Sequence, residues 1–115
     1  MTDSVFLDQE LIGELKDIMA DGFVTLVESY EQDTAKRLVA MRQALAQGDI
    51  TELAQLAHSL KGSSSNLGAL LVARHCLALE EAVAADSEVS FADLLLQIET
   101  AHDAARLGLR QHAEA

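Results

Sequence analysis

The sequence predicts an all-α protein, an antiparallel four-helix bundle with an additional short N-terminal helix. Three observations carry that prediction. Half of the 115 residues are hydrophobic while only 3% are aromatic, and the apolar share is dominated by Ala, Leu and Val, residues that suit helices or cost them little. There is no Pro, so the commonest helix breaker is missing. Apolar residues recur at three- and four-residue spacing in stretches separated by brief Gly-, Asp- and Ser-containing breaks, the period of a helix with one buried face.

The elements follow in order. Asp8 is a candidate N-cap for a short helix over 9–20, whose apolar set is Leu11, Ile12, Leu15, Ile18 and Met19. Asp21-Gly22 ends or bends it. The second helix spans about 23–46 on the periodic set Phe23, Leu26, Val27, Tyr30, Ala35, Leu38, Met41 and Leu45. Gly48 suits the left-handed residue past a helix end. Asp49 with Glu52 resembles a capping box that opens a third helix over 50–66. Asn66-Leu67-Gly68 is the next stop, because Asn and Gly both tolerate positive φ. A fourth helix covers 69–85, Asp86-Ser87-Glu88 forms a loop, and Ser90 with Asp93 opens a last helix over 90–111. The terminal Ala-Glu-Ala is expected to fray, leaving His112 in solvent. Short connections favour up-and-down packing, with the first helix laid across one end. Residues 1–115 read as one domain, without repeats.

A formal charge of -11 argues against a nucleic acid partner, which calls for clustered Lys and Arg, and against an anionic membrane surface. Cys76 is the single cysteine, so no intrachain disulfide forms and a reducing compartment fits. The first ten residues lack the basic and apolar regions of a signal peptide. No apolar run approaches the roughly 20 residues of a membrane span. A cytoplasmic location is expected. A monomer is expected as well, on the ground that bundle packing leaves no large exposed apolar stripe.

The informative segment is Ala57-His58-Ser59-Leu60-Lys61-Gly62-Ser63-Ser64-Ser65-Asn66-Leu67-Gly68-Ala69. At about 100° per residue, Leu53, Leu56, Leu60 and Leu67 gather on one side and His58 falls opposite. Lys61 and Gly62, three and four residues on, flank His58 on the next turn, and Ser65 lies two turns away on the same stripe. An imidazole is a nucleophile near neutral pH. Lys61 is spaced so that its ammonium can neutralise phosphoryl oxygens. Gly62 costs a helix interior about 1 kcal/mol relative to Ala, a cost that makes sense if a second protein must approach the backbone closely. Ser63 and Ser64 project towards the core, where they read as small spacers with hydroxyls bonded back to carbonyls four residues earlier.

His58-x-x-Lys61-Gly62-Ser63-Ser64 followed by Leu67-Gly68, with Leu79-Glu80 in the next helix, resembles the signature of the histidine phosphotransfer (HPt) domain family, of the stand-alone bacterial phosphorelay type. The motif fixes seven identities in about eleven residues. Outside it the resemblance rests on length and helix order. It implies that His58 is the phosphoacceptor, Lys61 the phosphoryl-stabilising cation and Gly62 the site of close approach. Ser65 would contact the phosphoryl group or the ring. Gln32, Asp33 and Glu80 would be polar neighbours of His58, and the first short helix would supply part of a hydrophobic docking surface through residues such as Ile18 and Phe23. The implied partners are the receiver domain of a hybrid sensor kinase and that of a response regulator. The chain itself would need no cofactor, since Mg²⁺ belongs to the receiver.

An exposed histidine is ordinarily a surface residue, and only its companions single out His58. His75-Cys76 is one pair without further ligands at suitable spacing, so no metal is expected. Cys76 reads as a small core residue. Glu80 and Glu81 alone would read as a solvated face, and Arg74 as a surface cation or a docking residue. The sequence has no Gly-rich nucleotide-binding segment, which argues against kinase activity of its own. Two rivals remain: the phosphoacceptor domain of a chemotaxis-type kinase, against which a start at Met1 and the lack of a linker count, and a non-catalytic helical bundle that binds a partner helix.

Overall fold

The computed structural model describes residues 7–114. Among these residues the fold has five helices: α1 (Gln9–Met19), α2 (Gly22–Ala46), α3 (Ile50–Leu67), α4 (Leu70–Ala84) and α5 (Phe91–Glu114). The caps are those the sequence marks. Asp8 accepts from the Leu11 N–H, Asp49 from the Glu52 N–H and Ser90 from the Asp93 N–H. Each satisfies an amide that the first helical turn leaves without a partner. Gly48 and Gly68 both have positive φ, and Gly68, at +83°, closes α3 in the left-handed conformation. Its N–H and that of Ala69 return to the carbonyls of Ser65 and Ser64, the double bond of a Schellman turn.

The four long helices form a ring in which α2 packs on α3 and α5, and α4 packs on α3 and α5. Phe23, Val27, Met41, Leu53, Leu60, Leu79, Leu95, Ile98 and Leu109 fill the interior. The start of α1 lies against one end. The Asp8 N–H donates to the Gly68 carbonyl at 2.8 Å, Ile12 is fully buried, and Leu7 sits where a Cβ on Gly108 of α5 would collide with it. No helix among the described residues is long and apolar enough to cross a membrane.

Several expectations need correction. The α2 core position is Thr34, fully buried, and Ala35 is exposed. The expected stripe on α1 loses Ile18, which is 80% exposed. The C-terminus does not fray at residue 112, because His112 Nε2 meets Gln9 Oε1 at 2.6 Å and Ala113 packs on the core, so α5 runs on to Glu114. Single apolar side chains do stay on the surface, which is no departure from the expectation of no large exposed stripe. Leu96 and Leu107 of α5 remain exposed, eleven residues apart and therefore on one face.

Candidate functional site

His58 lies near the middle of α3, with Ala57 and Leu60 on either side fully buried. Those two anchor the helix and turn the intervening position outward. The His58 side chain is 71% exposed, and it is held on one edge: Nδ1 lies 3.2 Å from Glu80 Oε2. Glu80 projects from α4, one residue after the buried Leu79. The same carboxylate pairs with Lys61 Nζ at 3.1 Å. Lys61 and Glu80 are each only about a quarter exposed or less, so their attraction is screened less than that of a surface pair. The imidazole, the carboxylate and the ammonium therefore form one connected group across the α3–α4 seam.

Gly62 is exposed beside this group, and a Cβ built there would meet nothing within 4 Å. The fold itself does not require glycine at this position. Ser65 is exposed on the same stripe. Ser63 and Ser64 point inward as expected, but with other partners. The Ser63 hydroxyl donates to the Leu60 carbonyl, three residues back, and the fully buried Ser64 hydroxyl bonds the Tyr30 hydroxyl of α2 at 2.7 Å.

That bond helps fix the α2–α3 register and corrects the placement of Gln32 and Asp33. Tyr30 faces Ser64 and, two turns on, Arg37 faces Ser59, its Nε donating to the Ser59 hydroxyl at 3.1 Å. Asp33 accordingly lies along a groove with Tyr30, Ser63 and Asn66, about one turn, or roughly 6 Å, from the level of His58. Gln32 is exposed, and among the described residues neither it nor Asp33 is hydrogen-bonded to His58. The α2 residue level with His58 is Arg37, which sequence reasoning passed over because only the register reveals it. Phe23, expected on the docking surface, is 2% exposed and belongs to the core. The apolar side chains presented near the α1–α2 connection are Ile18 and Val24.

Behind the site the interior is polar in places. Tyr30 and His102 meet edge to face, ring centres 5.9 Å apart. Burial raises the Tyr30 pKa, an effect that its bond to Ser64 and the nearby Thr34 hydroxyl partly offset. Burial lowers the His102 pKa, and its Nδ1 has no hydrogen-bond partner among the described residues. Cys76 is fully buried, and its thiol is pushed up to about 12, chiefly by burial and then by Glu80. It is inert core rather than a reactive group. No cluster of three or more potential metal ligands occurs among the described residues.

A helical bundle with an outward-facing histidine, backed by a carboxylate and an ammonium beside a bare stretch of helix, is arranged to carry a group on that imidazole and to offer it to another protein. Comparison with known proteins gives the family. The Hpt domain model matches residues 25–108, and the chain belongs to this family, the histidine phosphotransfer proteins of phosphorelays. Among solved structures it is similar to histidine-containing phosphotransfer protein B (HptB) from Pseudomonas aeruginosa PAO1, with 32% identity, 95% of each chain covered and a TM-score of 0.88. No curated protein matches the sequence.

Proposed function

We propose that His58 accepts a phosphoryl group on Nε2 from the aspartyl phosphate of a hybrid sensor kinase's receiver domain and passes it to the receiver domain of a response regulator. The observation that carries this reading is the contact between His58 Nδ1 and Glu80. A carboxylate there accepts a hydrogen bond, so it favours the tautomer with the proton on Nδ1. The Nε2 lone pair is left free on the exposed edge of the ring. In the forward step that lone pair attacks phosphorus, the P–O bond to the receiver's aspartate breaks, and the carboxylate leaves. Glu80 offsets the positive charge that develops on the imidazole. Lys61, already beside Glu80, is placed to attract the phosphoryl oxygens.

Gly62 leaves room for the receiver's loops to approach the helix, and Ile18 with Val24 offers the partner an apolar contact. Ser65 stays a candidate contact on the same stripe. The chain contributes a positioned nucleophile and a docking face, while Mg²⁺ and the acidic pocket belong to the receiver. It acts as an intermediate, with no ATP-dependent activity of its own, and the expected setting is the cytoplasm.

Incubation with a phosphorylated receiver domain tests this. Acid-labile, base-stable phosphate should appear on the wild-type chain and be lost in His58→Gln. Absence of label, or label that survives that substitution, returns the protein to the class of interaction bundles.

A further inference from the structure

We infer that Arg37 is a second cation for phospho-His58, resting on Ser59 while the histidine is unmodified and turning to the phosphoryl oxygens once His58 is loaded. The inference rests on the phosphotransfer reading and extends it to the opposite flank of the site.

The case begins with charge. In the unmodified state Lys61 is already balanced by Glu80, so the α4 side of His58 is close to neutral. A phosphoryl group brings nearly two negative charges at neutral pH, onto a chain whose net charge is -11. The cation best placed to answer it lies on the other side. Arg42 is committed to Glu99 and Arg110 to Glu31. Among the described residues Arg37 makes one hydrogen bond, from Nε to the neutral hydroxyl of Ser59, the residue next to His58.

Geometry adds a second reason. Nδ1 of His58 is turned to α4 and Glu80, so Nε2, across the ring, points away from that seam. A phosphoryl group on Nε2 therefore lies beyond the Glu80 edge of the ring, and Arg37 of α2, bonded to the Ser59 hydroxyl next to His58, has no carboxylate partner among the described residues. An arginine fork is suited to this task, because Nε can hold one anchor while the two Nη groups meet two oxygens. Exchanging a neutral hydroxyl for a charged acceptor strengthens the hydrogen bond that the guanidinium makes.

The test uses the full chain and needs no partner protein. Phosphoramidate, a small phosphoryl donor that releases ammonia on transfer, loads His58, and ³¹P resonance follows the second ionisation of the phosphoryl group with pH. Lys61 and Glu80 face it from the α3–α4 seam and Arg37 from the α2 side, with Asp33 about one turn away on α2. Arg37→Gln keeps a donor for Ser59 and removes only the charge. It should raise the phosphoryl pKa by about one unit, the effect of one nearby opposite charge, and Arg37→Lys should recover part of the shift. A purely structural Arg37 would leave this titration unmoved.

An unchanged phosphoryl pKa in Arg37→Gln, while Lys61→Ala shifts it, overturns the inference. It is equally overturned if Arg37→Gln leaves the titration intact and slows only salt-sensitive transfer from a receiver, for then the cation meets the partner. If wild-type protein takes up no phosphate on His58 from phosphoramidate or from a phosphorylated receiver, the phosphotransfer reading falls and Arg37 with it.

Discussion

Tyr30 and Ser64 meet hydroxyl to hydroxyl at 2.7 Å in the interior between α2 and α3. Ser64 lies on the inward side of α3, six residues beyond the exposed His58, so this bond ties the site helix to its neighbour from behind. It helps set the register that brings Arg37 level with Ser59.

Removing one partner should therefore cost stability. Tyr30→Phe leaves the buried Ser64 hydroxyl to bond back to its own helix, and we expect a loss of about 1 kcal/mol. Ser64→Ala should cost a similar amount, because Tyr30 keeps Thr34 nearby. The double variant should lose less than the sum of the two, since the residues act as a pair. Urea denaturation of the four proteins measures this, and additive losses would show that the bond contributes nothing.

Gly62 separates stability from function. Open space surrounds the position, so Gly62→Ala should stabilise the isolated protein by about 1 kcal/mol through helix propensity alone. Phosphotransfer from a receiver should nevertheless slow, by about tenfold for each 1.4 kcal/mol of lost docking. Melting curves and transfer kinetics on the same variant check both halves. Unimpaired transfer would remove the close-approach role.

Glu80→Gln should change the tautomer of His58 before it changes anything else. The carboxylate favours the proton on Nδ1, so in the wild type the Nδ1–H form should dominate when the ring is neutral. In Glu80→Gln the balance should move towards Nε2–H and transfer should slow. Nitrogen-15 shifts of the imidazole report the tautomer directly.

His102 makes stability depend on pH. Burial holds its pKa below the ordinary 6.5; Asp103 opposes this, Arg106 adds to it, and Glu31 opposes it. As the pH falls through 6.5 the unfolded chain takes up a proton that the folded chain resists, so the unfolded state gains. The contribution of this residue to stability should be complete above about pH 6.5 and should fall on acidification until the folded histidine also protonates. His102→Phe should flatten that part of a pH series of thermal melts. At the alkaline end Cys76 acts in the opposite sense: stability should drop as pH rises from the ordinary thiol value of 9.0 towards about 12.

Much of this was legible in the sequence because it is local. Asp8, Asp49 and Ser90 cap the helices they precede, and the projection of α3 places His58 outward and Leu60 inward, since spacing alone determines helical faces. What was not legible depends on contacts between helices. Thr34 takes a core position in place of Ala35 because α2 faces two neighbours, α3 and α5, and its buried stripe is set by both. Phe23 turns inward at the α1–α2 junction and leaves Ile18 exposed. The last turn of α5 persists because α1 comes back over it, with Gln9 on His112 and Leu7 on Gly108. The polar companions of His58 divide in the same way. Lys61 is fixed by spacing within one helix, Glu80 needed the resemblance, and Arg37 appears only when Tyr30 and Ser64 fix the register.

The most direct test of the central claim is to locate the nitrogen–phosphorus bond. The protein, labelled with ¹⁵N and loaded from a phosphorylated receiver domain, should show one ³¹P–¹⁵N coupling, to Nε2 of residue 58. Coupling to Nδ1, coupling to His75, His102 or His112, or phosphate bound without any nitrogen coupling would contradict the account.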